Sequence, residues 1–158
     1  MSRAEKLTQR FTTMNNAIID IAESCSDEDW GKIVEGENWP VGLVLNHIVA
    51  GHYSVIGLMK RAVRNQPLPD LSNQDNDAEN AKMAEESANI SREDVLAMTR
   101  KNGERIAAFV GELTDEQLAK SYHWSLWGQD WTLEQLFKIV FLHSGGDHLK
   151  NVQATLAA

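Results

Sequence analysis

Two histidines near the end of the chain have the residue type, but not the usual spacing, of a metal site. In the stretch FLHSGGDHL, His143 and His148 are five residues apart, with Ser144, a glycine pair and Asp147 between them. Histidine is the commonest metal ligand, and helical bundles build metal sites from side chains on facing helices. Ligands on one regular helix share a face when they are three or four residues apart. The stretch is therefore a metal site on an irregular helix, a damaged metal site, or the end of a core helix.

His47 and His52 are a second pair of candidate ligands. His47 shares a helical stripe with Gly51 and Ser54, whose small side chains leave space beside the imidazole. His52 falls on a different stripe, among apolar residues. At about 100° per residue, the two rings of a regular helix would point about 140° apart, so one helix would not offer both to one ion. We therefore interpret His52 as a hydrogen-bonded, partly buried histidine.

The sequence pattern predicts different surroundings for the other three histidines, His148, His143 and His123. His148 shares a stripe with Phe137 and Val152, which predicts that it faces the interior of a bundle. His143 falls to one side of that stripe. His123 lies in SYHWSLW, an irregular connection, and is predicted to be a surface residue. His47 and His148 are thus the histidines best placed to face each other across a core.

These residues must be positioned by helices, because helical periodicity dominates the chain and strand signals are nearly absent. Four long helices are predicted: residues 2–24, about 40–65, about 91–113, and about 132–157. SRED at Ser91 and TLEQ at Thr132 have the form of capping boxes, and Pro40 suits the first position of a helix. Shorter helical turns are expected after Ser26, after Thr114 and over residues 77–87. The pattern predicts an all-α four-helix bundle in one domain, residues 1–158.

Two long connections complete this bundle. QPLPDLSNQDND contains two prolines and several turn formers, and is predicted to be a surface loop after the second helix. The other connection holds Trp124, Trp127 and Trp131. These rings either wall a pocket over a metal or fill the core beneath the connection.

Composition excludes several classes of function. The 158 residues carry a formal charge of −8, which disfavours binding to the phosphates of nucleic acids. No apolar run resembles a signal peptide, and no stretch is expected to reach the length of a membrane span. The single cysteine, Cys25, allows no internal disulfide and lies beside acidic residues that would raise its pKa, so it is expected to be inert. We expect a cytoplasmic protein.

The segments NWPVGLVLNHIVAGHY and WTLEQLFKIVFLHSGGDHLKNV resemble those of the DinB/YfiT-like superfamily of four-helix metalloproteins. That group includes mycothiol-dependent maleylpyruvate isomerases and bacillithiol- and mycothiol-linked S-transferases. The resemblance assigns His47, after Trp39, as the first metal ligand and His148 as a ligand on the last helix. A middle segment also fits, with Asp77 and Asn80 in the family's Asp-x-x-Asn motif. The resemblance therefore extends over essentially the whole chain.

The sequence departs from the family four residues before His148. The family places another ligand there, and this chain has Ser144, whose hydroxyl is a poor ligand for a divalent transition metal. A π-bulge at Gly145-Gly146 would shift the register and bring His143 into the site. Alternatively, Asp147 supplies a carboxylate, or the site is degenerate and the fold serves as a binding module. The predicted metal ligands are thus His47, His148 and, through a bulge, His143.

Two functions follow from the resemblance. If a metal binds, zinc or nickel suits neutral imidazoles, and an open coordination position would activate a thiol or water. The resemblance then implies a homodimeric S-transferase or isomerase that uses a small-molecule thiol. The other expectation is a non-catalytic dimeric module with a stress-related or ligand-binding role.

Overall fold

Four long helical segments form the body of the protein, as the periodicity predicts. The structure is a computed structural model that describes residues 1–158. In chain order the elements are α1 (Arg3–Ser24), α2 (Asp27–Trp30), α3 (Val41–Asn46), a first π-helical turn (His47–Gly51), a 3-10 turn (His52–Val55), α4 (Ile56–Val63), α5 (Asn73–Glu86), α6 (Arg92–Gly111), α7 (Asp115–Ala119), β1 (Ser121–Trp124), β2 (Gln129–Thr132), α8 (Leu133–Phe137), a second π-helical turn (Lys138–Ser144) and α9 (Gly145–Ala157). The segment from α3 through α4 is one continuous second long helix. The segment from α8 through α9 is the fourth.

Side-chain caps fix where three of the four long helices begin. Ser2 and Thr132 each form a complete capping box with the residue three positions later, Glu5 and Gln135 respectively. Ser91 accepts a hydrogen bond from the backbone N–H of Asp94, which supplies one half of the predicted box. Each cap satisfies backbone donors that a helix start would otherwise leave unpaired.

The core is apolar and has four aromatic rings at its centre. Phe11 of α1 lies 5.2 Å from Tyr53, 6.0 Å from Phe137 and 6.2 Å from Phe141, measured between ring centroids. All four residues are at most 1% exposed. Because these rings come from the first, second and fourth long helices, they hold those helices together around one point. Aromatic side chains of this size supply much of the apolar area that stabilises a core.

A small polar network is buried beside these rings. The Tyr53 hydroxyl donates to Asn15 Oδ1 at 2.8 Å, and Asn15 Nδ2 donates to the carbonyl of Thr99 at 3.4 Å. Gly103 makes room for the amide, since a Cβ at that position would lie 2.3 Å from Asn15 Nδ2. The network joins α1, α6 and the second long helix, so buried polar groups are satisfied where three helices meet.

The tryptophan-rich connection contains a β-hairpin that the sequence pattern did not predict. β1 and β2 pair antiparallel, with Tyr122 opposite Trp131 and His123 opposite Asp130. Gly128 has φ +60°, a conformation that suits glycine in the turn. Each strand has only four residues, so the period-two alternation is too short to stand out against the helical pattern. His123 is exposed, as predicted, and its Nδ1 lies 2.6 Å from Asp130 Oδ1.

The second long helix has a longer apolar stretch than we expected from the sequence. Val41–Val63 spans 23 residues with a mean hydropathy of 1.4, which is long and apolar enough to cross a membrane by length and composition alone. The expectation that no stretch reaches this length was therefore wrong. In the structure 61% of that apolar window is buried inside the protein, so the bundle core accounts for the apolar residues.

Candidate metal centre

Three histidines converge on one point between the second and fourth long helices. The ring centroids of His47 and His52 are 4.8 Å apart, those of His47 and His148 are 5.0 Å apart, and those of His52 and His148 are 5.1 Å apart. One nitrogen from each ring can be chosen so that all three lie within 4.8 Å of one another. The arrangement can therefore direct three imidazole nitrogens at one ion, which is the number of protein ligands in many catalytic zinc sites.

The first π-helical turn brings His47 and His52 together. The backbone N–H of His52 donates to the carbonyl of His47, an i to i+5 hydrogen bond. A π turn of this kind stacks residues five apart, whereas a regular α-helix separates them. The expectation that one helix would not offer both rings to one ion was therefore wrong, because the helix is irregular between them. Gly51 lies inside this turn, and a Cβ at that position would lie only 3.3 Å from His47 Nδ1.

A side chain from α6 supports the first π-helical turn. Asn102 Nδ2 donates to the carbonyl of Val49, in the middle of the turn, at 2.9 Å. This hydrogen bond reaches across the helix interface and fixes the turn that sets the direction of His52. Asn102 therefore acts on the cluster through the backbone of the turn.

Asn102→Ala is expected to weaken zinc binding by about tenfold, the lower end of the range for losing an outer-shell partner. It is also expected to lower the free energy of unfolding by about 1–3 kcal/mol, because a partly buried carbonyl loses its donor. Competition with a chromophoric chelator and urea unfolding measure the two effects. Lys101→Ala, an exposed neighbour on α6, is the matched control. Unchanged zinc affinity in Asn102→Ala would show that the hydrogen bond serves stability alone.

Glu37 orients the third histidine. Its Oε1 lies 2.7 Å from His148 Nδ1 and also accepts a hydrogen bond from Asn151 Nδ2 at 2.8 Å. Burial raises the pKa of Glu37, but the hydrogen bonds from Asn151 and His148 outweigh it and hold the pKa below its usual value. An ionised carboxylate is an acceptor only, so His148 donates from Nδ1 and leaves Nε2 free. Carboxylate–histidine pairs of this kind position metal-ligating imidazoles.

His47 is the most buried member of the cluster and the one with an unmet hydrogen-bonding need. Its side chain is 8% exposed, and its Nδ1 is buried with no hydrogen-bond partner. The edge of Trp39 packs against the ring, with 5.3 Å between centroids. A buried polar atom without a partner costs about 1–3 kcal/mol, and this nitrogen is not engaged by any other group of the protein.

His52 is half-buried and meets Ser144 across the helix interface. Its Nε2 lies 3.3 Å from Ser144 Oγ. Burial, together with the neighbouring histidines, lowers the pKa of His47 to about 4 and that of His52 to about 3. Both imidazoles are therefore neutral at physiological pH and keep a lone pair available for a metal.

The metal-free protein is expected to lose stability as the pH falls from about 6.5 to about 5. Both histidine pKa values are lower in the folded chain than in the unfolded chain, so the unfolded chain binds more protons in this window. The free energy of unfolding is expected to fall by about 1–2 kcal/mol per histidine at pH 5. This pH lies above the pKa values of most carboxylates, so the histidines account for the change. Urea unfolding of chelator-treated protein measures it. His52→Gln should show about half the loss, and a flat profile for the native sequence would contradict the prediction.

The structure places His143 outside the cluster. Its side chain is exposed, on a different face from His148. The fourth helix does contain a π-helical turn, but the turn ends at Ser144 instead of at the predicted glycine pair. It does not bring His143 and His148 to one face. Asp147 is exposed as well and is not part of the cluster.

Sequence reasoning missed His52 and Glu37 as site residues. The available signal for His52 was its spacing of five from His47 with Gly51 between them. This is the same pattern that suggested a bulge at His143 and His148. Glu37 carried no signal, because its contact with His148 joins residues 111 positions apart.

Two members of the cluster, His47 and His52, lie at the wall of a cavity of about 800 Å³. His47, His52 and Ser144 line one part of it, and the apolar residues around them come from the second and fourth long helices. α5, predicted at 77–87 and found at Asn73–Glu86, lines another part with Asn80 and neighbouring residues; Asp77 of the predicted motif is not among them. Trp127 lines the cavity, whereas Trp124 is buried in the core at 2% exposure. Cavities of this volume accommodate small organic ligands.

Comparisons with known proteins agree with this architecture. A protein from Clostridium difficile 630, described as uncharacterized, superimposes with a TM-score of 0.76 at 11% identity, over 98% of this chain and 95% of that one. YfiT from Bacillus subtilis superimposes with a TM-score of 0.75 at 17% identity, over 98% and 87% of the two chains. Its structure is described as that of a probable metal-dependent hydrolase with an unusual four-helix bundle topology. A search of curated proteins finds no significant match.

The family model of the DinB superfamily matches residues 10–150, which include all three clustered histidines. The match spans most of the sequence, from α1 into α9. This chain belongs to the DinB superfamily.

Proposed function

We propose that this protein is a divalent-metal-dependent enzyme that uses a small-molecule thiol in a transfer or isomerisation reaction. The observation that supports it best is the convergence of His47, His52 and His148, two of which, His47 and His52, line a cavity. Three neutral imidazoles form a donor set suited to zinc or nickel. Ser144 does not need to be a ligand in this assignment, because His52 supplies the third imidazole.

The residues present fit such a metal. The buried Nδ1 of His47 has no partner in the protein, and the contact of Glu37 with His148 Nδ1 leaves the Nε2 of that ring free. No acidic side chain belongs to the cluster, so its chemistry differs from the oxygen-rich sites of calcium and magnesium. A zinc or nickel ion with an open position lowers the pKa of a bound thiol or water and so supplies a nucleophile at neutral pH.

The protein's own residues have separate parts in this proposal. His47, His52 and His148 would hold the ion, and Glu37 would keep the proton of His148 on Nδ1. The Ser144 hydroxyl, 3.3 Å from His52 Nε2, would limit the rotation of that ring. The apolar wall of the cavity would exclude water around the reacting atoms, which strengthens electrostatic interactions there.

Hydrolysis is the second candidate. YfiT, which shares the fold, is described as a probable metal-dependent hydrolase, and an open metal position can activate water as readily as a thiol. The two candidates differ in one requirement: the transferase or isomerase consumes or recycles a thiol, whereas the hydrolase needs water alone. Turnover that persists after removal of all thiols would favour hydrolysis.

Metal analysis of protein purified without a histidine tag tests the proposal. We expect about one equivalent of zinc or nickel per chain after titration, with loss of the ion on treatment with a chelator. Uptake below about a tenth of an equivalent, unchanged by added metal, would instead support a non-catalytic binding module.

We also propose that the chain forms a homodimer and acts in the cytoplasm. Its only cysteine, Cys25, is buried and its pKa is raised by burial, which suits a protein that needs no disulfide. Sedimentation equilibrium tests the dimer: a single species with the mass of one chain would contradict it.

A further inference from the structure

The face that α5 turns toward the cavity is polar where a packed helix would be apolar. Asp75, Asn76, Glu79, Asn80 and Met83 line the cavity, and their spacing places them on one side of the helix. No residue of α5 is buried. A helix that served only to close the core would present an apolar stripe to it. This stripe instead offers amides and carboxylates to whatever fills the cavity.

The charge along the cavity wall has one sign. Two carboxylates, Asp75 and Glu79, line it, and no lysine or arginine does. Asp75 is already occupied, because its side chain accepts from the backbone N–H and hydroxyl of Ser72 at the start of α5. Glu79 forms no hydrogen bond or ion pair within the protein, so its charge is available to a ligand.

The histidine cluster provides an independent sign of a ligand in the same cavity. His47 is more than nine-tenths buried and lines the cavity, and its Nδ1 has no partner. The rest of the lining is partly apolar and includes Leu58 and Trp127. The cavity therefore has imidazole nitrogens, carboxylates and apolar side chains in its wall.

We infer that the ligand is an amphipathic thiol with a cationic group, such as a primary ammonium, at the end away from the sulfur. The assignment of a thiol rests on the proposed function, and the assignment of a cationic group at the other end of the ligand rests on Glu79. The apolar stem of such a molecule packs against the wall, and its ammonium lies near the α5 carboxylates. A ligand with a carboxylate or phosphate at that end meets repulsion and no compensating cation.

A matched series of six-carbon thiols tests the inference on the full-length protein. The protein is loaded with cobalt(II), which substitutes for zinc. Binding of a thiolate to the cobalt is measured by its charge-transfer absorption band. The series is 6-amino-1-hexanethiol, 6-mercapto-1-hexanol and 6-mercaptohexanoate. We expect the ammonium thiol to bind about fivefold to tenfold more tightly than the carboxylate thiol at low salt, with the alcohol between them. The difference should shrink at high salt, because Asp75 and Glu79 are exposed to solvent.

Substitutions on α5 assign the effect to Glu79. Glu79→Gln should reduce the preference for the ammonium thiol, and Glu79→Lys should reverse it. Glu86→Gln removes the same charge from the same helix at a position outside the cavity and should leave the preference unchanged. None of these side chains is buried, so the variants are expected to fold as the native chain does.

The outcomes separate this inference from the proposed function. Failure of the protein to bind cobalt(II), zinc or nickel would overturn both. Binding of the metal with equal affinity for the three thiols, or a preference that Glu79→Lys leaves in place, would overturn the assignment of a cationic end while leaving the metal site intact. Tighter binding of the carboxylate thiol would likewise overturn it.

Discussion

Replacing His52 with alanine is expected to abolish tight metal binding, whereas replacing His143 is expected to leave it unchanged. His52 is one of three imidazoles that converge, and His143 is exposed and outside the cluster. The loss should exceed the roughly 10–100-fold effect of removing an outer-shell partner, because a direct ligand is lost. Titration with zinc in competition with a chromophoric chelator measures the affinity of each variant.

His143→Ala is the matched control for this experiment. It also removes one imidazole, but from a position on the fourth long helix that lies outside the cluster. Thermal unfolding of both variants in the metal-free state separates lost ligation from lost fold. Unchanged zinc affinity in His52→Ala would contradict the assignment of His52, and a loss in His143→Ala alone would restore the ligand set predicted from the sequence.

A compensating substitution sharpens the test. Ser144 Oγ lies 3.3 Å from His52 Nε2, and position 144 is one helical turn before His148. In the His52→Ala background, Ser144→His is therefore expected to recover part of the metal affinity by supplying the third imidazole from the fourth helix. Complete failure of this double variant, in a chain that still folds, would argue that the ring must come from the second helix.

Phe11→Ala is expected to produce the largest loss of stability, about 3–5 kcal/mol in the free energy of unfolding. Phe11 is 1% exposed and contacts Tyr53, Phe137 and Phe141, so truncation leaves a cavity where three long helices meet. Urea unfolding monitored by circular dichroism measures the change. Thr12→Ala, at an exposed position on the same helix, is the control and should change stability by less than about 0.5 kcal/mol. A loss in Phe11→Ala of the same small size would contradict the role given to this ring.

The fold was predictable because its signals are local. The apolar stripes of the long helices and the caps at Ser2, Ser91 and Thr132 depend on residues only a few positions apart, and the structure has helices at those places. The two strands were not predicted, since four residues each give too little alternation. Their pairing is also a contact between separate segments, and no single segment encodes it.

The candidate site was only partly predictable. The sequence pointed to His47 and His148, and the structure brings these two rings to within 5.0 Å of each other. His52 escaped because its direction depends on a π-helical turn, and regular helical geometry assigns it to another face. That turn is supported by Asn102, which lies 53 residues from the carbonyl that it binds. The residues of the second helix alone do not predict this contact.

The helical class, the starts of the long helices and two of the three clustered histidines follow from the sequence alone, because periodicity and capping act within a few residues. The third ring of the cluster, the carboxylate that orients His148 and the charges that face the cavity became known from the packing of the helices. Those outcomes depend on contacts between distant helices and on one irregular turn, and such contacts have no counterpart in the spacing of residues along the chain.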